Sequence, residues 1–132
     1  MRRLTCILAA IILGCFSCFA QKISYDVFVP IAKYISAGDV ESLSAWFAPT
    51  LELSLPDKTN DCSKLQAKQI MRSFFKDYAP RSFTIRHQAG RENLKYAIGD
   101  LSAAGEHFDV TIFVSCPSGG RFTIQQLKID RR

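Results

Sequence analysis

The sequence contains few of the residues and motifs on which catalytic and metal sites are usually built. It has only two histidines among 132 residues. It has no serine nucleophile elbow, no phosphate-binding glycine-rich loop and no paired carboxylates at metal-binding spacing. It also contains no internal repeat, low-complexity stretch or linker. The chain therefore predicts a fold more clearly than it predicts a reaction, a cofactor or a metal.

The first twenty residues have the layout of a secretory signal peptide. Two arginines precede an uncharged stretch that ends in small residues near Ala20. We predict cleavage after Ala20, which divides the chain into a signal peptide, residues 1–20, and a single domain, residues 21–132, exported to the periplasm or secreted. An uncleaved membrane anchor and a lipoprotein linked through Cys15 are the alternatives. After cleavage, no membrane span is predicted.

Export would leave two cysteines, Cys62 and Cys116, in a compartment where disulfides persist. A bond between them would close a loop of roughly fifty residues and contribute about 4 kcal/mol on the chain-entropy argument. Two separate, half-buried thiols are the alternative. Neither cysteine has a histidine near it in sequence, so nothing local supports a zinc site or a cysteine nucleophile.

The formal net charge is +5, and loss of the signal peptide with its two arginines lowers it to +3. A basic stripe at i, i+4 spacing lies on the predicted central helix and consists of Lys64, Lys68, Arg72 and Lys76. Such a stripe can bind anions, but a solvated helix face is the simpler explanation. No interleaved aromatic and basic motif of the kind that reads bases is present, so we predict no nucleic-acid partner.

The strongest secondary-structure signal is a helix from Ser63 to Tyr78. Ser63 and Gln66 have the spacing of a capping box, in which each side chain satisfies a backbone donor at the helix start. Apolar residues recur at helical spacing on one face: Ala67, Ile70, Met71, Phe74, Phe75 and Tyr78. Pro80 cannot continue the helix, and the residues after it alternate as a strand. The apolar face must therefore be buried against other elements.

Two shorter helices are predicted before the central helix. Gly38 ends the first, and Asp39 caps the second over residues 40–47. A strand over residues 51–55 and a polar loop over residues 56–62 then lead to the central helix.

Four antiparallel strands are predicted after the central helix, separated by turns that contain glycine. Changes in the phase of the apolar residues indicate bulges at Gly99–Asp100 and at Gln125–Gln126. Bulges increase twist and curvature. We therefore expect an α+β domain, with the N-terminal helices and one long central helix packed on the concave face of a strongly curved, mainly antiparallel sheet.

Four stretches of the sequence resemble a family of small exported Bacteroidetes proteins known as domain of unknown function 4783. They are FVPIAKYISAGDVESLSAWF, QAKQIMRSFFKDYAP, YAIGDL and IQQLKI. The order of the elements resembles the nuclear-transport-factor-2-like, or cystatin-like, superfamily. The resemblance implies a cone-shaped fold and export, but no activity and no catalytic residues. Within that superfamily the cone can hold a small apolar ligand, some members are isomerases or dehydratases, and members commonly dimerise through the outer face of the sheet.

His87 is the best candidate for a polar group inside the cone. It shares strand phase with apolar neighbours, as does Tyr96 on the next strand, so both are expected to point inward. Together they would offer an acid–base pair or a polar handle for a ligand, although a core histidine bonded to the backbone is the simpler explanation. Asp109 and His107 have outward phase, so neither a buried carboxylate nor a two-histidine metal site is evident.

Aromatic residues supply the remaining candidates. Trp46 and Phe75 lie on apolar helix faces and would form the walls of a cavity, while Gln126 would add a polar handle to the histidine and tyrosine. Phe113 has outward phase on its strand. An outward phenylalanine indicates a covered surface, which we interpret as a dimer face.

These observations favour a small exported domain without enzymatic activity. It would bind a small apolar or amphipathic ligand in its cone, or act as a homodimeric interaction module. The alternative is a pocket enzyme of isomerase or dehydratase type that uses His87 and Tyr96. No cofactor and no metal are predicted.

Overall fold

The structure is a computed structural model that describes residues 26–117 and 120–132. The predicted signal peptide and Cys15 lie outside these residues. The helices are α1 Phe28–Ala37, α2 Val40–Ser44 and α3 Lys64–Asp77. The strands are β1 Phe47–Leu55, β2 Lys58–Ser63, β3 Pro80–Gly90, β4 Leu94–Ala103, β5 Glu106–Ser115 and β6 Thr123–Arg131. No helix in the described ranges has the length and apolar character needed to cross a bilayer.

The first two helices meet at the predicted Gly–Asp corner. Gly38 has a φ of 68°, a left-handed conformation that glycine adopts without strain, and it ends α1. The Asp39 carboxylate caps α2 by accepting a hydrogen bond from Ser42 N at 3.2 Å, and the hydrogen bonds from Ser42 lower the pKa of Asp39. The predicted length of the second helix, residues 40–47, is wrong: α2 ends at Ser44, because the chain then enters β1.

The central helix α3 begins with the predicted capping box. Ser63 Oγ accepts a hydrogen bond from Gln66 N at 3.2 Å, and Gln66 Oε1 accepts one from Ser63 N at 3.0 Å. The buried residues of α3 are Ala67, Met71, Phe74 and Phe75. The helix ends at Asp77, just before Pro80 opens β3. The predicted start and end of this helix are therefore confirmed.

The six strands form one sheet in the order β2-β1-β6-β5-β4-β3. The β1–β6 pair is parallel and the other pairs are antiparallel. The prediction of a loop over residues 56–62 is wrong, because most of this segment is the edge strand β2, paired with β1. All residues of β2 except Cys62 are exposed. An edge strand without a buried face has no apolar alternation, so its sequence resembles that of a loop.

The bulge predicted near the end of the chain is confirmed. Phe113 pairs with Gln126 and Val114 pairs with Ile124, which leaves Gln125 as the extra residue of β6.

The second bulge lies in a different strand from the one predicted. Ile85 pairs with Gly99 and His87 pairs with Ile98, so the extra residue is Arg86 of β3 rather than a residue of β4. The β4–β5 ladder has a continuous register from Leu94 to Ala103. The apolar residues of β4 therefore change from one face to the other along a regular strand.

The prediction of a strongly curved sheet is wrong, since the sheet is at most moderately curled. Bulges bend the strand that contains the extra residue. Register shifts lie in β1, β3 and β6, while the ladder between β4 and β5 is continuous. The regular β4–β5 ladder therefore adds no bulge that would bend the sheet further.

The helices pack on one face of the sheet, and apolar side chains fill the space between the two layers. The largest fully buried side chains are Phe28, Ile31, Ile35, Leu43, Phe47, Leu53, Met71, Leu101, Phe108, Ile112, Ile124 and Leu127. We call this side of the sheet the covered face and the opposite side the open face. The predicted α+β architecture, with helices on one face of a mainly antiparallel sheet, is confirmed.

Candidate functional site

A row of four side chains crosses the open face of the sheet on four adjacent strands. The row consists of His87 on β3, Tyr96 on β4, Phe113 on β5 and Gln126 on β6, and we call it the outer row. Tyr96 is directly opposite Phe113, and Phe113 is directly opposite Gln126. Residues directly opposite in an antiparallel pair share a face, so these side chains lie on the same side of the sheet.

The aromatic rings of the outer row are close enough to interact. The Tyr96 and Phe113 ring centroids are 5.5 Å apart with an interplanar angle of 30°. The His87 and Tyr96 rings are 5.8 Å apart. The distance between His87 Nε2 and Tyr96 Oη is 3.3 Å, and the histidine tautomer determines which atom donates. Tyr96 and Phe113 are half-buried, whereas His87 is exposed.

Apolar residues extend the outer row along β4. Leu94 and Ile98 flank Tyr96 at a spacing of two residues, and the ladder with β5 places all three on the open face. Leu94 is 49% exposed, one of the most exposed large apolar residues of the described chain. An apolar surface of this kind, on a sheet face that no helix of residues 26–117 and 120–132 covers, is typical of a contact site.

Two arginines and two aspartates form a charge cluster beside the outer row. Arg86 Nε and Arg132 NH2 each lie 2.9 Å from Asp100 Oδ1. Asp109 Oδ1 lies 3.0 Å from Arg86 NH2 and 3.2 Å from Arg132 Nε. The contacts of Asp100 Oδ1 are ion pairs rather than directed hydrogen bonds, because their angles do not suit hydrogen bonding. The cluster contains equal numbers of positive and negative side chains, so its formal charge is zero.

The sequence profile described as "Domain of unknown function (DUF4783)" matches residues 28–130, which include every helix and nearly all of the sheet. The chain belongs to the DUF4783 family. The family resemblance predicted from the four sequence stretches is therefore confirmed. No curated protein sequence matches this DUF4783 chain.

Solved structures similar to this DUF4783 domain include a DUF4783 family protein from Bacteroides uniformis. The two have 24% sequence identity and a TM-score of 0.76, with 81% of this chain and 98% of that chain covered. A protein from Cytophaga hutchinsonii, described as NTF2-like and of unknown function, has 9% identity and a TM-score of 0.59, with 81% and 88% covered. These similarities support the predicted nuclear-transport-factor-2-like fold.

A further similar structure is a putative polyketide cyclase from Sinorhizobium meliloti. It has 15% identity to this chain and a TM-score of 0.61, with 81% of this chain and 95% of that chain covered. At this identity the similarity is one of fold alone, since one fold can carry many unrelated functions.

The orientation predicted for His87 and Tyr96 is wrong, because both lie on the open face of the DUF4783 domain. The bulge at Arg86 inserts one residue into β3, so His87 has the opposite phase to Ile85. Tyr96 is outward because β4 is regular and its inward residues include Ala97 and Leu101. Gln126 also lies on the open face. A role of these residues in ligand binding stays a prediction.

Trp46 and Phe75 do not join the other predicted ligand-binding residues. Phe75 is 7% exposed and packs beneath α3, with its ring 5.9 Å from that of Phe74. Trp46 lies between α2 and β1, half-buried, with the Arg121 guanidinium 5.8 Å from its ring centre. The five predicted residues therefore do not converge on one cavity, because three are on the open face and two are elsewhere.

Phe113 lies on the open face, as predicted. Sequence reasoning missed Leu94 and Ile98 as parts of the same surface, and it missed the charge cluster. The signal for the apolar part was present: if β4 is regular, its apolar residues before and after Gly99 must lie on opposite faces. The charge cluster joins residues from three strands and from the residue after β6, which no local pattern connects.

Cys62 and Cys116 are both buried free thiols in this DUF4783 domain. Cys62 lies on β2 and Cys116 directly follows β5, with β1 and β6 between those strands. Three strand spacings amount to about 14 Å, which is beyond the reach of a disulfide. The disulfide interpretation is therefore wrong, and the alternative of separate thiols holds. Burial raises the pKa of the Cys62 thiol, which favours its protonated form.

The described residues contain no cluster of three or more His, Cys, Asp or Glu side chains that could hold a metal ion. The basic stripe on α3 is partly neutralised, because Lys68 Nζ lies 2.7 Å from Glu41 Oε2 and Arg72 also pairs with Glu41. The hydrogen bond from Lys68 contributes most to lowering the pKa of Glu41. A row of basic side chains of which some form surface ion pairs is typical of a solvent-exposed helix face.

Proposed function

We propose that this chain is an exported, non-enzymatic interaction module that associates with a second copy of itself through the open face. The observation that carries the proposal is the outer row, in which half-buried aromatic rings lie side by side on a sheet face that none of the described helices covers. Aromatic side chains contribute strongly to protein interfaces, because they bury a large area at a low cost in conformational entropy.

The charges of the open face favour a second copy as the partner. The mature chain has a net charge of +3 after loss of the two arginines of the signal peptide, so two copies repel each other at most orientations. In the charge cluster, however, Arg86 and Arg132 are balanced by Asp100 and Asp109. Lys128 Nζ and Asp130 Oδ2, on the neighbouring strand β6, lie 3.6 Å apart and form a further balanced pair. Two such neutral faces can approach each other without net repulsion, whereas a strongly acidic or basic partner gains nothing from this surface.

The open face has about the area of the smallest specific interfaces, which are typical of weak and transient complexes. Strands β3 to β6 are about 4.8 Å apart and about ten residues long, which gives a flat area of roughly 600 Å². A standard interface buries about 800 Å² per partner. The open face is therefore slightly smaller than a standard interface, and we expect a dissociation constant in the micromolar range rather than a permanent dimer.

A ligand in the centre of the cone is less well supported, because the covered face is filled. The large side chains that line it, such as Phe108 and Leu127, are 0% exposed. The alternative of a pocket enzyme has one favourable observation, the short distance between His87 and Tyr96. This pair is on an open surface rather than in a cavity that excludes water, which is where acid–base chemistry of this kind is effective.

Sedimentation velocity of the purified protein over a range of concentrations tests the proposal. We expect the wild type to change from monomer to dimer between about 1 and 100 μM. Phe113→Lys places a charge in the centre of the outer row and should leave the protein monomeric over this range. Ala37→Lys is the matched control, since it adds the same charge at an exposed position at the end of α1. A wild type that stays monomeric at the highest concentration contradicts the proposal.

A further inference from the structure

A groove lies away from the open face, between the C-terminal half of α3 and the turn that joins β1 to β2. Its volume is about 350 Å³. Ligand pockets in proteins usually have volumes of about 300–1,000 Å³, so this groove is the size of a small molecule and too small for a long lipid chain. We call it the α3 groove. None of the residues predicted from sequence as ligand-binding lines it.

One side of the α3 groove is apolar. Phe74 is 6% exposed, and Leu55, Ile70 and Tyr78 are half-buried at its surface. These side chains come from β1 and from successive turns of α3. They form a wall against which an aromatic or branched aliphatic side chain can pack.

Arg131 on β6 is held in a fixed position at the edge of the groove. Its NH2 group donates a hydrogen bond to Tyr78 Oη at 2.8 Å, and its NH1 group lies 2.8 Å from Glu106 Oε1. The guanidinium carbon is 5.6 Å from the centre of the Tyr78 ring and 5.8 Å from that of Phe108. The bond to Tyr78 and the charge of Glu106 raise the pKa of Arg131. A guanidinium has five N–H donors, so donors beyond these two contacts are available to a ligand.

Three further charged residues line the α3 groove: Asp57 and Lys58 in the β1–β2 turn and at the start of β2, and Asp77 at the end of α3. Within residues 26–117 and 120–132, none of the three forms an ion pair. Among the described residues, the lining thus carries charges of both signs that are not engaged in ion pairs.

We propose that the α3 groove binds a free amino acid with a large apolar side chain. A ligand that carries only a carboxylate would meet Asp57 and Asp77, and a ligand that carries only an amine would meet Lys58 and Arg131. A zwitterion satisfies both sets, with its ammonium group near the aspartates and its carboxylate near the lysine and arginine. The apolar wall then accommodates the side chain.

Nuclear magnetic resonance titration of the ¹⁵N-labelled protein tests the proposal. The probes are L-phenylalanine, 3-phenylpropanoate, which lacks the ammonium group, and 2-phenylethylamine, which lacks the carboxylate. We expect saturable shifts at the amides of Ile70, Ser73 and Tyr78 with L-phenylalanine, and binding at least about 10-fold weaker with each analogue. No saturable shift with L-phenylalanine, equal binding of the three probes, or shifts confined to another region would overturn the proposal.

Two variants sharpen the test. Lys58→Gln and Asp77→Asn each remove one exposed charge and should weaken L-phenylalanine binding by about 3- to 10-fold. Lys58→Gln should also reduce the preference for L-phenylalanine over 2-phenylethylamine, because the ligand carboxylate then loses its attraction to the lysine ammonium. Lys64→Gln is the control, since Lys64 is exposed in the first turn of α3, away from the groove, and should leave binding unchanged. Equal affinities of all variants for L-phenylalanine would contradict the proposed contacts. These outcomes do not depend on dimerisation through the open face.

Discussion

Strand β5 carries a phenylalanine on each face of the sheet, and the two residues have different surroundings. Phe108 is 0% exposed, and its ring lies 5.4 Å from that of Phe74 and 5.2 Å from that of Tyr78, both at the C-terminal end of α3. Phe113 is half-buried, and its ring lies 5.5 Å from that of Tyr96 on the neighbouring strand. The same residue type in the same strand therefore joins two layers on the covered face but only two strands on the open face.

This difference indicates what each face does for the protein. Side chains on the covered face supply the packing that holds helices and sheet together, so their loss leaves a cavity. Side chains on the open face are supported from one side, so we expect their removal to cost less folding free energy. An apolar residue that folding does not require is better explained by contact with another molecule.

The largest expected effect comes from Phe108→Ala. We predict that it lowers the free energy of unfolding by about 3–5 kcal/mol, because it removes a ring enclosed by α3 and the sheet. Phe113→Ala is the matched substitution on the open face and should cost about 1 kcal/mol or less. Urea unfolding followed by circular dichroism at low protein concentration measures both. Equal losses for the two variants would remove the distinction between the faces.

Gly99→Ala is expected to have the second largest effect. A Cβ at Gly99 would lie 2.5 Å from Phe83 Cζ and 2.8 Å from the carbonyl oxygen of Thr84, opposite the bulge in β3. Such overpacking typically costs about 1–3 kcal/mol. Gly120→Ala is the control, since no atom lies within 4 Å of the position that its Cβ would occupy. If thermal unfolding shows equal stability for Gly99→Ala and wild type, β3 does not pack against β4 as described.

Asp109→Asn is expected to weaken association through the open face while leaving the free energy of unfolding almost unchanged. The carboxyl of Asp109 is 38% exposed, and solvent screens its pairs with Arg86 and Arg132. The loss of stability should therefore be below about 1 kcal/mol. The open face becomes positively charged, however, so the dimer should dissociate several-fold more readily at low salt. Sedimentation at two salt concentrations checks this, and an unchanged dissociation constant at both would show that neutrality of the face is unimportant.

The smallest effect is expected from Glu41→Gln, on the helix layer. The pKa of Glu41 is lowered from its ordinary value of 4.5, chiefly by the hydrogen bond from Lys68. A lowered folded-state pKa means that the contribution of Glu41 to stability is present above pH 4.5 and is lost as the pH falls through the folded-state value. The variant should be slightly less stable than the wild type at pH 7, and this difference should disappear in acid. If the stability difference between the variant and the wild type grows as the pH falls, the folded-state pKa of Glu41 is raised rather than lowered.

The parts of the fold predicted correctly are those in which local chemistry and burial agree. Ser63, Gln66 and Pro80 fix the two ends of α3 because capping and the missing proline N–H are local effects. The sequence of β2 does not predict a strand, because nearly all its residues are exposed and the alternation of apolar and polar residues that marks a half-buried strand is absent. The length of α2 was overestimated because the apolar residues after Ser44 belong to the start of β1.

The role predicted for the candidate site residues stays a prediction, and Trp46 and Phe75 lie apart from the others. His87, Tyr96, Gln126 and Phe113 do lie together, but on the open face rather than divided between the two faces. The error arose from the assumption that apolar alternation marks the buried face. In β4 the outward residues Tyr96 and Ile98 are larger than the inward Ala97 and Gly99. A bulge adds one residue without a strong sequence signal, so the phase after Arg86 could not be read from β3 alone.

The most direct test of the proposed dimer is an isotope-filtered nuclear Overhauser measurement on a mixture of ¹³C-labelled and unlabelled protein. Only contacts between two copies produce signals in this experiment. The account predicts intermolecular signals from Tyr96, Ile98 and Phe113, and none from the enclosed ring of Phe108. Intermolecular signals that arise from the helices instead, or no signals at millimolar concentration, would contradict the claim that the open face is an interface between two copies of this chain.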